Sequence, residues 1–255
     1  MKLYKTGLLS LCVVGVLALS SSCAQKKKKE EAQSIVHNIL TADEQEQGWK
    51  LLFDGETTHG IRNYLSQDLK SQWVVEEGTL HYLGKNDEGR GGDAIITDKP
   101  YSNFEFSVDW KISEGGNSGI IYMVVEDEKY EKPWHTGLEY QLLDNERHAD
   151  GQIDKHKAGD LYDLVESDTI RVKPAGEWNQ SKIIVLNGRI EHWLNGHKIV
   201  EVDTKTPEWD ALVAGSKFSS KEDFAKAAEG HIILQDHTDP VWFRNIKIRS
   251  LSTQE

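Results

Sequence analysis

The chain has 255 residues, with 42 acidic side chains against 30 basic ones and a formal charge of −12. So acidic a surface repels a phosphate backbone, which argues against a nucleic-acid partner. Its two cysteines, Cys12 and Cys23, both fall in the first 23 residues. The remainder therefore has neither a disulfide nor a zinc–thiolate site, and a hydrophobic core must hold it.

In chain order, Lys2 and Lys5 precede an apolar run over 7–19, and Ser20, Ser21 and Ser22 lead to Cys23. This pattern predicts a secretory signal peptide over 1–22. A cysteine directly after small residues resembles a bacterial lipobox, although Leu19 lies one position further upstream than usual. Cys23 is then a lipidated N-terminus anchored to a bacterial envelope membrane, in the periplasm or outer membrane, and 23–40 is a charged tether. The alternative is ordinary cleavage near Cys23, leaving a free thiol. Losing 1–22 removes two lysines and moves the formal charge to −14. A single domain is expected over 41–255.

Within it, TADEQEQG (41–48) predicts a short capped turn. WVVEEGTLHYL (73–83) predicts a hairpin, and GGDAIITDKP (91–100) a strand that ends before Pro100. In NFEFSVDWKIS (103–113), Phe104, Phe106, Val108, Trp110 and Ile112 alternate with polar residues, as in a half-buried antiparallel strand. SGIIYMVVE (118–126) is β-branched and apolar. GLEYQLLDN (137–145) puts Leu138, Tyr140 and Leu142 on one face and Glu139, Gln141 and Leu143 on the other. Asn187-Gly188 and Asn195-Gly196 split 182–202 into a three-stranded meander, because Asn-Gly accepts positive φ at both turn positions. SSKEDFAKAAEG (219–230) predicts one exposed helix. HIILQDH and VWFRNIKIRSL close the chain as two strands joined through Asp239 and Pro240, which puts Arg244 a hairpin away from Gln235 and His237. Many short strands and little helix predict an all-β jelly-roll sandwich.

The stretch 144–160 crowds Asp144, His148, Asp150, Asp154, His156 and Asp160 together. Oxygen-rich loops bind calcium, and His with Asp binds zinc or manganese. No known ligand spacing is present and a solvated acidic loop has the same composition, so no residue is assigned to a metal, although a divalent cation stays open. No cofactor is evident: GRGGD at 89–93 lacks the spacing and the helix of a dinucleotide site.

Eight phrases in order carry a family likeness: GWKLLFDG, FSVDWKISEGGNSGIIY, GLEYQLLDN, HKAGDLYDL, KPAGEWNQSKIIV, IEHWLNG, GHIILQDH and VWFRNIKI. Over 47–251 the chain resembles the 3-keto-disaccharide hydrolase domain family, once catalogued as a domain of unknown function. The resemblance implies a concanavalin A-like (lectin/glucanase) jelly roll. It also implies export, frequently as a lipoprotein, and activity on glycosides whose glucose C3 is oxidised to a ketone. A partner oxidoreductase would have to make that ketone.

A C3 ketone acidifies the C2 proton, the resulting enolate can expel the C1 substituent, and water can then add back. Such a route needs a base near C2, donors or a cation at the C3 oxygen, and an acid for the leaving group. Matched to the family phrases, the expected base is Glu139 or His192 and the acid His237. Arg244 and Gln235 are the expected donors, with Asn117 and Ser118 orienting the sugar. Gln141, Asp144 and Tyr162 complete the expected substrate contacts, and Trp178 and Trp193 are further ring platforms. Structural readings stand beside these. His192 alternates with Ile190 and Leu194, as a core histidine would, beside Ile183 and Ile199. Arg244 suits an internal ion pair, and Asn117 a turn. At the level of function, the alternatives are a non-catalytic carbohydrate-binding lipoprotein and a structural envelope lipoprotein.

Overall fold

The computed structural model describes residues 36–167 and 171–252. The expected signal peptide, Cys23 and most of the tether lie outside the described residues. The end of the tether does not: Asn38 is buried. Its N–H donates to Asn245 Oδ1 at 2.7 Å, and Asn245 N–H donates back to Asn38 Oδ1 at 2.8 Å. The fold therefore begins ahead of the expected boundary at 41.

In chain order the elements are α1 (Ala42–Glu46), β1 (Lys50–Leu51), β2 (Arg62–Asn63), β3 (Trp73–Glu76), β4 (Thr79–Tyr82), β5 (Ala94–Ile95) and β6 (Phe104–Ile112). Then follow β7 (Asn117–Val124), β8 (Leu138–Leu143), β9 (Asn179–Leu186), β10 (Arg189–Leu194), β11 (His197–Asp203), α2 (Pro207–Ala214), β12 (His231–Leu234) and β13 (Val241–Ser250). They form two antiparallel sheets. The larger runs β11-β10-β9-β6-β13-β4-β3, with β1 added at β13, and the smaller runs β2-β5-β12-β7-β8. This is the predicted jelly-roll sandwich.

The alternation read from β6 sends Phe104, Phe106, Val108, Trp110 and Ile112 into the core. From the smaller sheet, Ile120, Tyr122, Tyr140 and Leu142 meet them. Trp110 satisfies its one donor inside this core, with Nε1–H donating to Ser181 Oγ at 2.8 Å. Both Asn-Gly turns adopt the left-handed backbone expected, with φ of 54° and 88° at Asn187 and Gly188 and 49° and 83° at Asn195 and Gly196. Thr41 caps α1 through a full capping box.

Two expectations about elements are corrected. No helix forms over 219–230. Phe224 is drawn into the core and stacks on Phe218 at 4.2 Å, and Ala225 turns to φ 57° as its N–H donates to the Thr136 carbonyl. The helix stands instead at α2, where Thr206 caps and Pro207 occupies the first turn. The second correction concerns β12 and β13, which are not a hairpin. They belong to different sheets, so the turn through Asp239 and Pro240 carries the chain from one layer to the other.

Candidate active site

β8 supplies the floor of a cavity of about 660 Å³ on the outer face of the smaller sheet. Tyr140 and Leu142 point inward, so strand alternation turns Glu139 and Gln141 outward, into the cavity. Asn117 from β7 and Gln235, just past β12, join them, and all four are buried. Asp93, His237 and Tyr162 also line the cavity, beside the ring of Trp134.

The seat of Glu139 is built from small and apolar neighbours. Its cross-strand partner is Ile121, and Gly119 is the outward residue two positions earlier on β7. The carboxyl lies over Gly119, where any Cβ would overlap Oε1. Ile95, Ile121, Val124 and Ile233 form a separate apolar cluster of the smaller sheet, with Trp134 packed against it. Val124 belongs to that cluster because a bulge at Met123, with φ 58°, interrupts the alternation. Burial in these surroundings raises the Glu139 pKa to about 8, although the Lys217 ammonium and the Gln235 amide oppose the shift. At neutral pH the side chain is a carboxylic acid.

His237 moves the other way. Desolvation, followed by the nearby Arg90 guanidinium, lowers its pKa, so at neutral pH it is an imidazole with a free lone pair. Asp93 is raised to about 6 by burial, and its Oδ1 accepts from Asp236 N–H at 2.9 Å. The Lys217 ammonium sits 3.8 Å over the Tyr162 ring, and desolvation there pulls its pKa down against the carboxyl groups of Glu139, Asp163 and Asp150. Its backbone is pinned to the same loop, with N–H donating to Asp163 Oδ2 at 2.7 Å. The buried Gln141 Oε1 and Gln235 Oε1 have no protein donor. Two acceptors without donors in a polar cavity suit a ligand rich in hydroxyls.

Of the expected site residues, Glu139, Gln141, Asn117, Gln235, His237 and Tyr162 share this cavity. His192 does not. It is fully buried between the sheets, with Nδ1 at 3.0 Å from the Gly159 carbonyl and Nε2 at 2.9 Å from the Tyr122 hydroxyl. Burial lowers its pKa to about 4. A bulge after His192 sets Val200, not Ile199, opposite it, while Ile183 is its partner on the other side as expected. Arg244 is also misplaced as an enolate donor. It lies on the outer face of the larger sheet, 3.9 Å from the Trp178 ring and 3.5 Å from the Asp109 carboxylate.

Ser118 and Asp144 are corrected as sugar contacts. Ser118 Oγ–H donates to the Gln235 carbonyl at 2.9 Å, which fixes that strand end from behind. Asp144 accepts from the backbone N–H groups of Gly115 and Glu146 and so closes the turn before β7. Trp178 and Trp193 pack against cations on the larger sheet. The acidic loop is knitted together internally: Asp160 accepts from Lys157 and Ser167 N–H, and His156 bonds Asp163 at 3.2 Å. Among the described residues, no group of three or more His, Cys, Asp or Glu side chains is placed to share a metal ion.

Asp93, Trp134 and Lys217 are cavity residues that sequence reasoning did not single out. Asp93 had one available signal, an acid directly before the apolar run of β5. Lys217 comes from a turn and Trp134 from a single 3₁₀ turn over Pro133–His135, and neither carried one.

Comparison with known proteins agrees with this architecture. Residues 48–249 match the 3-keto-alpha-glucoside-1,2-lyase-like domain. A 3-keto-disaccharide hydrolase of Bacteroides thetaiotaomicron is 36% identical over 229 residues, 80% of this chain and 79% of the relative. Among solved structures, a candidate glycosyl hydrolase of Parabacteroides distasonis superposes with a TM-score of 0.78 at 34% identity, over 85% of this chain and all of the other. A second from the same organism gives 0.59 at 27% identity, over 80% of this chain and 99% of its own.

Proposed function

This chain belongs to the family of 3-keto-alpha-glucoside-1,2-lyase-like domains, and we propose that it cleaves glycosides whose glucose C3 is a ketone. The observation that carries this reading is the pair of titratable groups on one cavity whose environments displace them in opposite directions. A carboxyl pushed up is a proton donor at neutral pH, and an imidazole pushed down is a proton acceptor.

His237 takes the C2 proton. The C2–H electron pair becomes the enolate, with its charge on the C3 oxygen. Reversion of the enolate to the ketone forms the C1=C2 bond as the C1–O bond breaks, and Glu139 protonates the departing oxygen. Water then adds at C1 and a proton returns to C2, so the sum is hydrolysis. Lys217 supplies the positive field that the enolate oxygen needs, while Gln141 Oε1 and Gln235 Oε1 accept from the sugar hydroxyls. This assignment reverses the roles expected from sequence for Glu139 and His237, and Lys217 takes the place of Arg244.

3-Keto-trehalose and trehalose, incubated separately with protein lacking residues 1–23, separate this function from simple sugar binding. Glucose and 3-keto-glucose are expected from the oxidised sugar and nothing from trehalose. In heavy water the 3-keto-glucose should carry deuterium at C2 faster than the free sugar exchanges. Cleavage at full rate without deuterium would refute the elimination route. Binding without cleavage of either sugar would make the protein a carbohydrate-binding module.

A further inference from the structure

Five cationic side chains line the cavity of this acidic chain: Lys70, Arg90, Lys132, Lys217 and Lys221. Among the described residues, only two carboxyl groups, Asp93 and Glu139, share the lining, and Glu139 is neutral at pH 7. Among the described residues, Arg90 is the only one of the five with a carboxylate within ion-pair distance, Asp236 at 3.5 Å. Lys221 instead meets His135 Nε2 at 3.2 Å and the Trp134 ring at 5.2 Å, and Lys70 donates to the Arg90 carbonyl at 3.2 Å. Their fields reach the floor. Arg90 and Lys132 both act on the Asp93 carboxyl, Lys217 acts on Glu139, and Arg90 acts on His237. One cation satisfies an enolate oxygen, and Lys217 already stands beside Glu139. Arg90 pairs with Asp236 and helps hold His237 neutral, which leaves Lys70, Lys132 and Lys221 with no role in cleaving an uncharged glycoside.

We propose that the preferred substrate carries a negative charge on its leaving group, as a carboxylate, sulfate or phosphate, and that the Lys132–Lys221 and Lys70–Arg90 sides of the cavity receive it. The proposal rests on the keto-glycoside reading above and narrows it to acidic glycosides. A cleft lined by one sign of charge concentrates ligands of the other sign, and salt weakens that attraction. The chain's overall negative charge makes the local reversal of sign a property of the cavity, not of the surface at large.

The test compares two 3-keto-glucosides of like shape, one with a 4-carboxyphenyl and one with a 4-carbamoylphenyl leaving group. The amide is the better leaving group, so chemistry alone favours the neutral substrate. At low ionic strength kcat/KM should favour the carboxylate by about tenfold, and the ratio should shrink as sodium chloride is added. Lys132→Ala and Lys221→Ala should each lower that ratio several-fold. Calorimetric titration with the unoxidised pair reads the same preference without turnover. Equal kcat/KM and equal affinity for the two partners would overturn the proposal. A preference in binding with no cleavage of either keto-glucoside would uphold the anion site and sink the keto-glycoside activity.

Discussion

Glu139→Gln is expected to lower kcat/KM toward 3-keto-disaccharides by about a thousandfold, within the range for loss of a general acid. The loss should follow the leaving group: with 4-nitrophenoxide, which departs without a proton, it should fall to about tenfold or less. The same substitution should stabilise the fold. Glu139 has a pKa of about 8 when folded and an ordinary one near 4.5 when unfolded. Its contribution is therefore fully present below pH 4.5 and is lost as pH rises through 8. Gln is uncharged throughout, so the variant's advantage grows across that window and reaches on the order of 3 kcal/mol near pH 7. A more stable and nearly inactive protein is the signature of a carboxyl held in an unfavourable place for function. Loss of activity with loss of stability would mean that Glu139 is merely structural.

His192→Ala should give the opposite pattern. The imidazole bridges the Gly159 carbonyl and the Tyr122 hydroxyl inside the core. Truncation leaves both without a partner and opens a void, for a cost of about 3–5 kcal/mol. For a domain of this size that lowers Tm by roughly 10 °C. Turnover per folded molecule should change little, because no side of the ring reaches the cavity. The pH dependence has its own sign. With a folded pKa of about 4 and an ordinary one of 6.5 when unfolded, His192 contributes stability that is complete above pH 6.5 and is lost as pH falls toward 4. His192→Gln should flatten that acid limb in thermal melts run from pH 7 to 4. A His192 variant with native stability and no turnover would restore it as a catalytic candidate.

The sequence revealed strands and faces better than layers. The two Asn-Gly turns and the alternation in β6 and β8 were readable because each depends on local geometry, positive φ in one case and a period of two in the other. The outward placement of Glu139 and Gln141 followed from that period alone. What alternation does not record is which sheet a strand joins. Arg244 was placed near Gln235 and His237 because β12 and β13 read as a hairpin. The chain instead changes layers at Asp239–Pro240, and Arg244 comes out on the far side. His192 shows the complementary limit: a histidine between Ile190 and Leu194 follows the core alternation, yet its polarity drew it into the site. Lys217 stayed hidden because its position depends on α2, on the Phe218–Phe224 stack and on Asp163, contacts that no local pattern encodes. At 207–214 Thr206 and Pro207 supply the cap and first turn of a helix, whereas the more alanine-rich segment that follows is held out of helix by the burial of Phe224.

The most direct measurement is a titration of the Glu139 carboxyl itself. In protein labelled with carboxyl-¹³C glutamate, the resonance that disappears in Glu139→Gln is followed from pH 4 to 10. A midpoint near 8, with the signal of a protonated acid at pH 7, is the result expected of a buried proton donor. A midpoint in the ordinary range around 4.5 would leave the cavity without its acid and contradict the mechanism.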